Sequence, residues 1–335
     1  MSLGKVFGKI LRPRVTILFT IFDTNIYRGI SAQRLQQMRL LEQQQGVVAL
    51  SAYWPALELL AGFNSGDAAR AARCEKAIAR LVDHAAYPHQ GSLRIRVMAD
   101  GEVQLAGGLF QQELEQRLLN HAGVSELILA IGRNGQRDLN DSQRQALERA
   151  TEYVESRERR FAAMMDRMAD TVREAAHQGG YLEQEARRDM VEFIDSERMP
   201  AFIAQARVLS LAKTLNLEPS AFDSEDLSQK VLRAFPVAIV LMQQLIRKSI
   251  VGGVNWQRSD RANSVWDRDI AFHASRAATI EGVPVLLVTD DSAILDAAGA
   301  VSYEPFVETL AGYVALLESG AVAKREEAML AVEGG

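Results

Sequence analysis

The 335-residue chain has little of what several protein classes require. Its single cysteine, Cys74, excludes an intrachain disulfide framework and is typical of a reducing compartment. One cysteine and five histidines also disfavour a structural zinc site. Neither sign of charge dominates, since 38 basic residues stand against 43 acidic ones. Any nucleic acid would therefore have to bind a local basic face rather than the surface as a whole.

A long apolar run is absent as well. The strongest candidate, Phe235 to Ile246, contains Gln243 and Gln244 and is too short to span a membrane. The run Val15 to Phe22 follows a basic N-terminus, but it soon reaches Asp23 and no small-residue cleavage site follows. We interpret that run as a strand. These absences predict a cytoplasmic protein without a membrane partner.

The apolar runs that are present are short and typical of strands buried in a parallel sheet. They are Val15 to Phe22, Val47 to Leu50 and Val285 to Val288. Helical patterns follow the first two runs, and this alternation of strand and helix favours a parallel α/β arrangement. A small edge strand is predicted at Val301 to Tyr303.

Helical patterns fill the middle of the chain. The longest helix is predicted from a cap at Asn140 or Asp141 to Gly179-Gly180, with an apolar residue every seventh position from Leu147. A further helix is predicted from Ser224 to Lys248, with a kink at Pro236. The pair Asp100-Gly101 predicts a hairpin turn between strands at Leu93 to Met98 and Glu102 to Leu105.

The predicted architecture is thus an α/β domain cut in two by a large, mostly α-helical insertion domain. The first half of the α/β domain would comprise residues 14–63, the insertion 64–258 and the second half 259–320.

Four acids lie next to the predicted strands of the two halves or on the helices that adjoin them. Asp23 ends the first strand, and Glu58 lies on the helix after the second. Asp267 opens the helix before the last long strand, and Asp291 follows that strand. Ligands of such sheets bind outside the carboxyl ends of the strands. Four carboxylates there need a counter-charge, and oxygen-only ligation favours Mg²⁺ or Mn²⁺. Two such ions about 4 Å apart would activate water against a phosphodiester.

Each acid has a simpler interpretation when it is taken alone. Asp23 and Asp267 suit helix N-caps, and Asp290-Asp291 suits the cap of the helix that follows. Glu58 alone is a solvated helix residue. The metal-site prediction therefore depends on convergence of the four.

The motifs that carry these acids resemble those of the PIN-domain nucleases, metal-dependent enzymes that mostly cleave RNA. An Asp-Thr-Asn opening follows the first strand in FDTNIYRG, and a glutamate follows the second in LSAYWPALELLAGF. A third acid opens a helix in DRDIAFHA, and a T-x-D pattern closes the last long strand in VLLVTDD. The resemblance covers Val15 to Phe63 and roughly Arg261 to Leu317. The helical middle has no counterpart in the small members of the family.

The resemblance implies a PIN-like, mainly parallel sheet flanked by helices, and an Mg²⁺- or Mn²⁺-dependent nuclease. Its partner would be nucleic acid, with RNA favoured over DNA, while the insertion would serve as a substrate platform or a homo-oligomer interface. The metal-binding and catalytic acids would be Asp23, Glu58, Asp267 and Asp291. Asn25 and Thr289 would support them, and Asp269 and Asp290 are neighbours that could replace or supplement a ligand.

Two other functions stay open: a non-catalytic scaffold whose helical region binds a protein, and a structure-specific DNA nuclease. The residues around the acids have two interpretations each. Trp54 and Trp266 are core residues or stack on bases. Arg261, Arg268 and Arg276 contact phosphates or solvent. His273 is predicted to be a packed or surface residue rather than a ligand.

Overall fold

The computed structural model describes residues 18–98, 100–110, 115–135, 139–180, 182–252, 254–258, 264–280 and 282–332. Residues 15–17 of the first predicted strand, and Arg261, lie outside these ranges. The α/β class is confirmed: a six-stranded sheet is flanked by helices.

The sheet has the order β5-β2-β1-β7-β6, and β8 also pairs with β7. Only β6 runs antiparallel to its neighbour; the other pairs are parallel. A separate hairpin is formed by β3 and β4. The strands are β1 (Leu18–Phe22), β2 (Val47–Ala52), β3 (Ala86–His89), β4 (Ser92–Ile95), β5 (Val97–Met98), β6 (Thr279–Ile280), β7 (Val283–Val288) and β8 (Val307–Glu308).

Helices surround the sheet and make up the middle of the chain. They are α1 (Thr24–Gly29), α2 (Ala32–Gln45), α3 (Tyr53–Phe63), α4 (Ala68–Ala85), α5 (Gly101–Phe110), α6 (Glu115–Asn134), α7 (Asp141–Gly179), α8 (Glu183–Ile194), α9 (Arg198–Thr214), α10 (Ser224–Ala234), α11 (Pro236–Val251), α12 (Ser264–Ile270), α13 (Ser292–Ala300), α14 (Leu310–Ser319) and α15 (Val322–Ala331).

Strand β1 lies at the centre of the sheet and all five of its residues are buried. Leu18 pairs with Val47 of β2, and Phe22 pairs with Val288 of β7. A strand covered on both faces needs the continuous apolar run seen in the sequence. Because β1, β2 and β7 are parallel, their carboxyl ends meet at one edge.

The long helix α7 has the predicted ends. Asn140 and Gln143 form a reciprocal capping box at its start, and Gly180 ends it in a left-handed conformation with φ of 67°. Leu147, Val154 and Phe161 of the seven-residue repeat are buried. This face packs against α3, α8 and α11, which joins the helical middle to the sheet.

The hairpin predicted at Asp100-Gly101 is wrong. Asp100 instead caps α5, because its Oδ1 accepts hydrogen bonds from the amides of Glu102 and Val103. Gly101 is needed for close packing, since a Cβ there would lie 2.5 Å from the ring of Phe272. The observed hairpin turns at Gln90-Gly91, where both residues have positive φ as such turns require.

Two further predictions are corrected. The helix expected from Ser224 to Lys248 is two helices, α10 and α11, which meet at 97°. Pro236 begins α11 because the first turn of a helix tolerates the missing amide. The edge strand expected at Val301 to Tyr303 is a turn, and β8 takes that place in the sheet.

In the described ranges no single helix is long and apolar enough to cross a membrane; only α10 and α11 together reach the required length and composition. The division at residues 63 and 258 stays a prediction. Strand β5, which falls within 64–258, pairs with β2 of the sheet.

Candidate active site

Asp23 lies at the carboxyl end of the central strand. Its amide donates to the carbonyl of Val288 at 3.0 Å, which extends the β1–β7 ladder to this residue. Its carboxylate is buried and accepts a hydrogen bond from the hydroxyl of Thr289 at 3.0 Å. The side chain makes no capping hydrogen bond to α1, so the helix-cap interpretation does not account for this acid.

Thr289 links two of the predicted acids. While its Oγ1 donates to Asp23, the same atom accepts a hydrogen bond from the amide of Asp291 at 3.0 Å. Asp291 also caps α13, with its Oδ1 2.8 Å from the amide nitrogen of Ala293. Asp291 therefore has both a capping role and a place beside Asp23. Thr289 has the supporting position that the resemblance implies.

Glu58 and Asp267 reach the same edge from two different helices. Glu58 is buried on α3, and its Oε1 lies 3.0 Å from Nη1 of Arg28. Asp267 is half-buried in the first turn of α12. The chain places α3 directly after β2, so Glu58 is carried to the strand ends by a neighbour of β1.

The charges of these acids act on one another at the sheet edge. Burial, followed by the charge of Glu58, raises the pKa of Asp23 to about 7, and Asp291 adds to this rise. Burial also raises the pKa of Asp267 well above its usual value, and Asp291, Asp23 and Glu58 raise it further. Glu58 and Asp291 therefore act on both Asp23 and Asp267, and the four acids belong to the same edge of the sheet.

The acids do not form a preorganised metal site. Among the described residues, no three acidic, histidine or cysteine side chains are arranged tightly enough to hold a metal ion. Arg28 already pairs with Glu58. The donor set itself fits a hard divalent cation, because it consists of carboxylate oxygens. Side chains would have to turn towards a bound ion.

Three of the predicted neighbours have other positions. Asp269 is buried between two arginines, with Nε of Arg157 at 3.0 Å and Nε of Arg268 at 2.9 Å. Asp290 is exposed and accepts a hydrogen bond from the amide of Leu310 at 3.0 Å. Asn25 is exposed on α1. Neither Asp269 nor Asp290 has the position expected of a replacement ligand.

The structure also distinguishes between the two interpretations of the residues that flank the acids. Trp54 and Trp266 belong to the core, with ring centroids 5.4 Å apart, so neither offers a free face to a base. Arg268 is committed to Asp269 rather than to phosphate, whereas Arg276 is exposed. His273 is fully buried, as one of its two interpretations predicts.

One acid was missed. Glu158 of α7 accepts a hydrogen bond from Nε1 of Trp266 at 2.8 Å. Burial raises its pKa, and after the opposing hydrogen bond of Trp266 the charge of Glu58 raises it further. The helical middle therefore contributes a carboxylate beside the cluster. The available signal was a second, incomplete apolar row along α7, which Met165 and Val172 form and which Glu158 interrupts.

Comparison with known proteins adds no further assignment. The chain matches no protein-family model, no curated protein and no solved structure.

Proposed function

We propose that this chain is a PIN-like, Mg²⁺- or Mn²⁺-dependent nuclease that hydrolyses phosphodiester bonds, with RNA as the favoured substrate. The observation that carries the proposal is that burial and the charges of neighbouring acids raise the pKa values of Asp23 and Asp267 at the carboxyl edge of a parallel sheet. Strongly perturbed acids in such a place are candidates for chemistry, because a fold gains no stability from leaving them uncompensated.

The proposed roles follow from the contacts. Asp23, Glu58, Asp267 and Asp291 would hold the metal, which when bound supplies a Lewis acid and lowers the pKa of water. The hydroxyl of Thr289 orients Asp23 by donating a hydrogen bond to its carboxylate, and it positions Asp291 by accepting a hydrogen bond from the amide of Asp291. Arg28 lies beside Glu58 with its side chain partly exposed, a position from which its guanidinium would contact a substrate phosphate.

The Arg28–Glu58 ion pair also favours a second candidate, the non-catalytic scaffold. In that case the arginine would be the counter-charge of the cluster, and the helical region would bind a protein partner. The scaffold needs no divalent ion, so nuclease assays separate the two.

The test uses single-stranded RNA and DNA of matched sequence with Mn²⁺. We expect the unaltered chain to cut RNA, and Asp23→Asn to lower the rate by at least about 100-fold because a charged oxygen is lost at the centre of the cluster. Asp290→Asn is the matched control, since that exposed acid lies one residue from Asp291 and bonds to α14. Equal activity in all three proteins, or none in the unaltered chain, would refute the nuclease proposal. Faster cleavage of DNA would favour the DNA nuclease alternative.

A further inference from the structure

A cavity of 230 Å³ lies among α7, α9, α11 and α12. Its walls are almost entirely apolar and include Met164, Met168, Met242, Ile239, Phe202 and Phe272. Methionine side chains adjust their shape easily, so such walls adapt to a flexible apolar ligand. Phe202 is 56% exposed, which leaves the cavity open to solvent on the α9 side.

Arg207 enters this apolar space from α9. The residue is half-buried, and its guanidinium carbon lies 5.1 Å from the centre of the Phe272 ring. Within the described ranges no carboxylate lies within ion-pair distance of it. Burial, with a smaller contribution from Arg268, lowers the pKa of Arg207 to about 10, so the group stays charged at neutral pH.

The neighbouring acid Asp269 is already occupied by other arginines. Arg157 and Arg268 both pair with Asp269, whose two oxygens they occupy. Arg207 therefore lies beside a carboxylate whose oxygens are taken, and its guanidinium remains without an ion-pair partner among the described residues. Burying a cation without a partner is costly, and an anion placed beside Arg207 would remove that cost.

We propose that this cavity binds a small amphiphilic carboxylate, with its apolar tail among the methionine and phenylalanine side chains and its headgroup paired with Arg207. A single negative charge on the ligand matches the one guanidinium, that of Arg207, which lines the cavity without an ion-pair partner among the described residues. The tail must be short, because 230 Å³ lies below the usual range for pockets that hold drug-sized ligands. The walls provide the hydrophobic part of the affinity and Arg207 provides selectivity for the anion.

The experiment is isothermal titration calorimetry of the full chain with octanoate, in parallel with 1-octanol and acetate. We expect octanoate to bind with a stoichiometry of one and more tightly than either reference ligand. Arg207→Gln should weaken octanoate binding by about tenfold or more, while leaving octanol binding unchanged. Arg198→Gln is the matched control, because Arg198 is an exposed arginine at the start of the same helix.

Ala206→Phe provides a second variant that does not alter charge. Ala206 is exposed and lines the cavity, so a larger side chain there should block octanoate and octanol alike without disturbing the core. Thermal melting should show both variants folded. Octanoate binding no tighter than octanol binding, several octanoate molecules per chain, or equal weakening by Arg198→Gln would each overturn the proposal. The outcome is independent of nuclease activity.

Discussion

Asp267 and Asp269 stand on the same short helix, but their pKa values shift in opposite directions. Asp267 faces three other carboxylates, and its pKa is raised well above the usual value. Burial alone would raise the pKa of Asp269 too, yet Arg268 and Arg157 reverse the effect and lower it. One helix thus presents to the sheet edge an acid whose pKa its neighbours raise, and to the helical core an acid that is paired with two arginines.

The difference separates a structural charge from a candidate functional one. A buried acid with its counter-charges in place contributes to a specific packing arrangement, and removing it leaves the partners buried and unpaired. A buried acid among like charges opposes folding and would be neutralised by a cation. Sequence spacing alone does not distinguish the two cases, because both residues are aspartates in the same motif.

The largest expected effect on stability belongs to Asp269→Asn. This change keeps the shape of the side chain but leaves Arg157 and Arg268 without a negative partner in the core. We expect the free energy of unfolding to fall by about 3–5 kcal/mol, measured by urea denaturation. Asp290→Asn, on the exposed side of the sheet edge, should change it by less than about 0.5 kcal/mol. A loss at Asp269 as small as that at Asp290 would contradict the structural role.

The charged form of Asp23 in the acid cluster should destabilise the folded chain, so stability should fall as pH rises. The pKa of Asp23 is about 7 in the folded chain against 3.8 for the unperturbed group, so the folded state binds more protons between these values. The stability associated with this group is complete below about pH 4 and is lost as pH rises through 7. Without divalent ions, we expect the unaltered chain to lose roughly 2–3 kcal/mol between pH 5 and pH 8 relative to Asp23→Asn.

Denaturant titrations of both proteins in a chelator, at several pH values, measure this difference. Adding Mn²⁺ at pH 8 should restore the stability of the unaltered chain and have little effect on Asp23→Asn. Asp290→Asn should keep the pH dependence of the unaltered chain. Stability curves of the unaltered chain and Asp23→Asn that run parallel with pH would show that the pKa of Asp23 is not raised in the folded chain.

Much of the sheet edge could be predicted from sequence, because buried parallel strands leave continuous apolar runs and their ends are marked by polar residues. This identified β1, β2 and β7, and with them Asp23 and Asp291. The caps of α7 were predictable for a similar reason, since Asn140 and Gly180 act on their own local backbone.

Other features depended on contacts that no local pattern records. Asp100 suits a turn and a helix cap equally well, and His121, 3.1 Å from its carboxylate, belongs to a distant part of the chain. The ion pairs of Asp269 require Arg157, more than a hundred residues away. Periodicity and spacing therefore could not predict that Asp269, rather than Asp267, is paired with arginines.

The variant Glu158→Gln tests whether the acid cluster includes a carboxylate of the helical middle. Glu158→Gln keeps an acceptor for Nε1 of Trp266 but removes the charge that acts on Glu58. Under the proposed function, we expect Mn²⁺ affinity, measured by calorimetry, to fall about five- to tenfold, or roughly 1 kcal/mol. Glu155→Gln is the control, because Glu155 is exposed on the same helix and pairs with Arg159 at the surface. Equal Mn²⁺ affinities of Glu158→Gln and Glu155→Gln would show that Glu158 is not part of the cluster. A selective loss in Glu158→Gln would make α7 part of the site, since a carboxylate from the helical middle would then share the charge of the bound ion.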